Sequence, residues 1–395
     1  MATSSDNDND RNDAVSSNPL TEETTETLTS PSLPTLPFEI VEEILSRLPV
    51  KFLMQLKSVC KPWKSLISDP KFAKKHLRVS TTRHHLLLTY VNSSREFVIT
   101  SYPLSSVFTE ITATAAAGAT QLDYPLLNPS HFHTIVGSCH GILCFELNRF
   151  NERFALLWNP SIRKFVKLPS LGIPKREGSR TIYGFGYCYD NFNDSYSYKV
   201  VAVDYFESVY DNSVKVHTLG TNSWRSIEDF PSGVSFDSSG RFLSESETIN
   251  WLASNDSDTL WIIVSLDLEK ECYQELVLPN YGAVTVETLT LGVVRDCLCI
   301  VANSDTFSDV WLMKEYGNKD SWTKLFRIPY MGDFESCPYT TVTYVSEDDQ
   351  VLLEWQFEIV VYNSKDGTFK TPEFQNINRD MILNVYEESL ISPCS

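Results

Sequence analysis

The 395-residue chain has no uninterrupted apolar stretch long enough to cross a bilayer, and its first residues have neither the basic segment nor the apolar run of a secretory signal. A soluble protein of the cytoplasm and/or nucleus, without membrane contact, is the expectation. Positive charge is scarce, with 33 Lys and Arg against 51 Asp and Glu. Direct nucleic-acid binding needs basic residues to neutralise phosphates, so this balance argues against it. The nine cysteines are scattered without paired zinc-finger spacing, which favours reduced thiols. Cys297 and Cys299, alternating with Leu298 and Ile300, fit the interior of a strand.

Patterns that announce chemistry are missing as well. GxSxG, HExxH and the phosphate loop are absent, and Gly184-Phe185-Gly186 sits among strand-forming residues with no helix to cradle a phosphate. His131, His133 and His140 lie near one another in sequence, but no carboxylate or cysteine stands at ligand spacing beside them. Asp204 with Glu207 is the sort of carboxylate pair that arises by chance in so acidic a chain. No catalytic residue, metal or cofactor is expected.

What the chain does have is uneven. Residues 1–35 hold seven acidic residues, one basic residue and few large apolar ones, which predicts a disordered acidic tail over 1–33. Residues 36–78 reverse the sign, with nine basic residues against four acidic. The acidic excess of the rest lies in the long remainder.

Ile40, Val41, Ile44, Leu45 and Leu48 recur at helical spacing, with Pro37 suited to a first turn and Pro49 to a stop. Phe52, Leu53, Leu56, Val59 and Cys60 form a second apolar set, and Trp63, Leu66 and Ile67 a third after Pro62. Pro70 separates a last basic helix. So small a helical unit, placed over 34–80, buries only a thin core unless a partner covers the rest. Periodicity alone does not separate a partner-facing stripe from the core of an independent helical hairpin. Likewise the lysines fit either an acidic partner or a solvated face.

The order LPFEIVEEILSRLPVK from Leu36, followed by VCKPWKSLI from Val59, resembles an F-box. The resemblance implies docking on the Skp adaptor of an SCF ubiquitin ligase, and through it on a cullin. The implied contacts are Leu36, Pro37, Ile40, Ile44, Leu45, Leu48, Pro49, Leu53, Val59, Cys60, Trp63 and Leu66.

Beyond residue 80 the pattern becomes short apolar runs punctuated by Gly, Asn, Asp and Pro, the mark of an all-β domain. A strand, a polar turn, a strand and a Leu-Pro or its equivalent recur, with turns beginning near Asn159, Gly220, Asp267, Glu315 and Asn363. A further pair of apolar runs precedes each. The steps suit propeller blades of four strands, about six in all over 81–395. Met381, Leu383, Val385 and Tyr386 are placed to close the ring on the first blade. Trp158, Trp224, Trp251, Trp261, Trp311, Trp322 and Trp355 are expected to pack between blades.

GSCHGILC from Gly137, WNPSIRK from Trp158, GFGY from Gly184 with YKVV from Tyr198, and LGVVRDCL from Leu291 resemble the F-box-associated, kelch-like domain of plant F-box proteins. His140 stands where that family commonly has Asn. The fold expectation is therefore mainly β, a short α-helical F-box followed by a kelch-like β-propeller. The implied function is capture of an unknown protein substrate for ubiquitination by a non-catalytic ligase subunit. A propeller lectin or enzyme with an accessory helical unit is the alternative. In the loop between Tyr187 and Tyr198, Tyr189, Phe192 and Tyr196 mix with polar residues in a composition favoured at recognition surfaces, which makes them substrate-binding candidates; a decorated hairpin end is the other reading.

Overall fold

The computed structural model describes residues 36–79, 84–92, 94, 96–109, 119–124, 134–149, 152–172, 178–206, 211–231, 234–236, 239–255, 261–330, 340–355, 358–372, 374 and 381–394. The predicted tail and both His131 and His133 lie outside the described residues.

Four short helices come first: α1 (Phe38–Ser46), α2 (Val50–Leu56), α3 (Lys61–Ile67) and α4 (Pro70–Val79). Prolines set their starts. Pro49 is the residue preceding α2, Pro62 lies in the first turn of α3, and Pro70 opens α4. Asp69 accepts from the Lys71 amide at 2.8 Å, satisfying one free N–H at the start of α4.

Leu45, Val50, Leu53, Ile67, Phe72, Ala73 and His76 are buried. The His76 ring donates from Nε2 to the Leu48 carbonyl at 2.8 Å, so the imidazole satisfies a linker carbonyl between α1 and α2. Lys75 pairs with Glu42 at 2.9 Å and Glu43 at 3.4 Å.

Six antiparallel sheets follow. From inner to outer strand, blade 1 is Met381–Glu387, His84–Val91, Phe97–Pro103 and Thr120–Gln121. Blade 2 is Thr134–Cys139, Ile142–Arg149, Glu152–Asn159 and Lys164–Lys167. Blade 3 is Ser179–Asp190, Ser195–Phe206, Asp211–Thr218 and Arg225–Ser226. In blade 4 the inner position is shared by Val234–Phe236 and Arg241–Leu243, followed by Thr248–Asn255, Trp261–Asp267 and Tyr273–Leu276. Blade 5 is Thr288–Val294, Cys297–Asn303, Phe307–Met313 and Trp322–Pro329. Blade 6 is Thr340–Val345, Gln350–Trp355, Glu358–Asn363 and Thr368–Lys370.

Each inner strand lies against the inner strands of the blades before and after it, and the sixth returns to the first. The carboxy-terminal strand closes the ring, with Tyr386 opposite His85, Leu383 opposite Leu88 and Met381 opposite Tyr90. Pairing one end of the chain with the other removes two exposed sheet edges.

The core sits between blades, because a single sheet cannot cover both of its faces. Trp158 joins Leu87 and Ile99 of blade 1 to Leu143, Phe145 and Leu156 of blade 2. Trp251 does the same between blades 3 and 4, among Val201, Val203, Val214 and Val264. At about 25 cal/mol per Å2, an indole burying about 200 Å2 contributes at most about 5 kcal/mol. Partly buried Trp261, Trp311 and Trp322 pack on the cluster shared by blades 4 and 5. The Trp355 side chain falls outside the described residues.

Two tryptophans hydrogen-bond backbone carbonyls at or near a Leu-Pro of the preceding blade. Trp224 of blade 3 donates from its indole nitrogen to the Pro169 carbonyl at the end of blade 2, at 2.8 Å. Trp322 of blade 5 donates to the Val277 carbonyl beside the Leu-Pro ending blade 4, at 2.9 Å. These two bonds join blade 3 to blade 2 and blade 5 to blade 4.

Candidate interaction surfaces

The helical unit carries its apolar residues in two populations. Leu36, Ile40, Ile44 and Val59 are 61%, 47%, 48% and 61% exposed, and Pro37 and Cys60 are exposed too. Leu48, Pro49, Trp63 and Leu66 are half-buried. Leu45 and Leu53, from the same sequence stripe, are enclosed by the chain itself. They therefore support the unit from within. Phe52, of the second apolar set, and Phe38, which sequence spacing did not single out, are also about half exposed. Within Glu42–Ser395, the exposed Ile44, Phe52 and Val59 are candidates for contact with a partner.

The second candidate, the hairpin of blade 3, has a different geometry. Tyr187 lies opposite Tyr198 and Tyr189 opposite Tyr196. These four, at positions two apart on paired strands, share one face of the sheet. His140, from the first turn of blade 2, stacks on Tyr187 at 4.3 Å, meets Tyr196 edge-on at 4.5 Å and hydrogen-bonds the Tyr198 hydroxyl at 2.9 Å. Burial pulls the His140 pKa down to about 4, so the ring is neutral near pH 7.

Of the three substrate candidates, Tyr189 and Tyr196 are thus turned to neighbours within the chain. Phe192 alone stands fully exposed at the turn. Its backbone is held by Asp190, whose carboxylate accepts from the amides of Phe192 at 2.9 Å and Asn193 at 3.2 Å. The residues brought to Tyr189 instead are Asp194 and, from α4, Arg78.

The same end of the propeller is laced from blade to blade. The Tyr189 amide donates to Glu247 of blade 4 at 2.9 Å, Ser244 donates to Asp296 of blade 5 at 2.6 Å, and Arg295 donates to Asp349 of blade 6 at 2.6 Å. His84 of blade 1 packs on Tyr344 of blade 6 with ring centroids 5.2 Å apart. Among the described residues no group of three His, Cys, Asp or Glu side chains is placed to hold a metal ion.

Residues 33–75 match the F-box domain model, and residues 79–393 match the F-box associated beta propeller domain model. The chain belongs to the F-box-associated propeller family. An F-box/kelch-repeat protein of Arabidopsis thaliana is 34% identical over 94% of this chain and 99% of its own length. The F-box protein CPR1 of the same plant is 29% identical over 81% of this chain and 79% of its own. Another Arabidopsis thaliana F-box protein is 25% identical over 87% of this chain and 89% of its own. Two segments of this F-box-associated protein now have physical explanations. Asn159 of WNPSIRK is wholly buried and bonds the carboxy-terminal segment. Gly141 of GSCHGILC has φ +74, and a Cβ there would come within 2.6 Å of Ser389 Oγ.

Proposed function

We propose that this protein is the substrate-receptor subunit of an SCF-type E3 ubiquitin ligase, without a catalytic step of its own. Its F-box would bind a Skp-family adaptor and, through it, a cullin. Its propeller would capture a target protein and hold it for ubiquitin transfer. The effect is proximity: capture raises the effective concentration of the target's lysines near the charged conjugating enzyme.

The observation that carries the reading is the exposure of Ile44, Phe52 and Val59 on a unit whose interior is already filled by Leu45, Val50, Leu53 and Ile67. These are surfaces left over after the unit's own core is complete. The proposed adaptor contacts are the exposed and half-buried residues, Leu36, Pro37, Ile40, Ile44, Leu48, Pro49, Val59, Cys60, Trp63 and Leu66, with Leu45 and Leu53 behind them. Phe192 is the member of the blade 3 hairpin free to touch a target.

The test is co-purification of the full chain with a Skp-family adaptor and cullin, together with proximity labelling by intact and F-box-deleted protein. Adaptor and cullin recovered only with the intact chain, and a shared set of labelled targets, are the expected result. Failure of the intact chain to recover any Skp-family adaptor would remove the ligase reading.

A further inference from the structure

The blade 3 hairpin is occupied from within the chain. Lys74 and Arg78 lie four residues apart on α4 and so share one face, away from buried Phe72, Ala73 and His76. The Arg78 guanidinium donates to the Asp194 carboxylate at 2.6 Å and to the Tyr189 hydroxyl at 3.0 Å. The Tyr189 hydroxyl donates to the same carboxylate, and the Lys74 ammonium donates to the Asp194 carbonyl. Asp194, at φ +46, turns both its carboxylate and its carbonyl towards α4. The Tyr189 hydroxyl and the Arg78 guanidinium hold its carboxyl below the usual carboxylate range.

Burial, with the charges of Lys164 in blade 2 and Lys64 in α3 nearby, lowers the pKa of Lys57, the residue after α2. Asp194 lies on a hairpin that Glu247 and His140 tie to the neighbouring blades.

We propose that Arg78, with Lys74, clasps the blade 3 hairpin through Asp194 and Tyr189 and fixes the direction in which the adaptor-binding helices leave the propeller. Arg78 is then a positioning residue: it selects which lysines the ligase reaches without touching adaptor or target. The clasp rests on contacts within the chain, whereas the selection of lysines rests on the ligase function proposed above.

The test pairs Arg78→Asp with Asp194→Arg in the full chain, each alone and both together. Labels introduced at the exposed Lys61 and Lys365 report the distance between helices and propeller. The native chain and the charge-swapped double variant are expected to give one narrow distance distribution, and each single variant a broad one. Identical narrow distributions in all four would overturn the clasp.

A ligase reconstituted with a Skp-family adaptor, cullin and conjugating enzyme supplies the second readout, the pattern of ubiquitin on the chain's own lysines. Each single variant should bind adaptor as the native chain does, yet spread modification over more lysines, and the double variant should restore the native pattern. A broadened distance with an unaltered lysine pattern would overturn the positioning role. Lack of adaptor binding by the native chain would defeat the ligase reading and the positioning role with it, while the distance measurement would still judge the clasp.

Discussion

The buried side-chain amide of Asn159 donates to the carbonyl of Ile391 at 2.8 Å, so the third strand of blade 2 grips the last segment of the chain. The same amide reaches the Ser389 carbonyl at 3.1 Å, and its oxygen accepts from the Ser161 amide at 2.9 Å. Ring closure is thereby fastened twice, once by the strand Met381–Glu387 and once by the segment after it.

Asn159→Ala should destabilise the propeller by about 2–4 kcal/mol, because buried carbonyls lose their donor and retain their desolvation cost. Removing residues 379–395 should do more, giving early melting or aggregation as the first blade loses its inner strand. Thermal melting with light scattering checks both. A monomeric truncated chain with unchanged melting would contradict closure at this point.

Gly184 leaves room for the neighbouring blade. A Cβ there would lie 2.6 Å from Ile249 Cγ2 and 3.0 Å from the Trp251 ring. Gly184→Ala should therefore cost about 1–3 kcal/mol through overpacking between blades 3 and 4. Denaturant unfolding measures it, and the additional change Ile249→Val should recover part of the loss.

The order of strands was legible in sequence because turn residues return at nearly constant intervals. Asn159, Asp267 and Asn363 each lie where the third strand of a blade turns into the fourth. The longer first interval reflects the 12-residue strands of blade 3. The helical stripe was legible as a stripe, but its cover was not. Ile44 and Leu45 are adjacent apolar residues, and only the fold decides that one is exposed and the other enclosed.

The aromatic hairpin shows a second limit. Its composition matches a recognition loop, but the spacing of Tyr187 with Tyr189 and of Tyr196 with Tyr198 was the better signal, since residues two apart on a strand face the same way. Their cover, His140, comes from another blade, and Arg78 meets Asp194 across 116 residues. No local pattern encodes such a contact.

His140 adopts φ +48, a left-handed conformation that Asn also tolerates. His140→Asn should keep the fold but lose about 1 kcal/mol of aromatic contact at pH 7. Because the folded pKa, about 4, is below that of an unfolded histidine at 6.5, folding excludes a proton between these values. This site's contribution to stability is complete above about pH 6.5 and is lost as the pH falls towards 4. The stability difference between native protein and His140→Asn should therefore shrink on acidification, by melting at a series of pH values; a constant difference would contradict a neutral buried ring.

The central claim is that the helices carry the adaptor-binding surface, while the propeller folds around cores of its own between blades. Leu48→Ala together with Trp63→Ala removes two half-buried side chains from the proposed adaptor surface. A loss of about 2 kcal/mol for each such contact would weaken binding by at least tens-fold. The direct measurement is the affinity of the full-length double variant for a Skp-family adaptor, taken beside its propeller melting transition. The account predicts a loss of adaptor binding with that transition retained, whereas native affinity in the double variant would contradict the assigned surface.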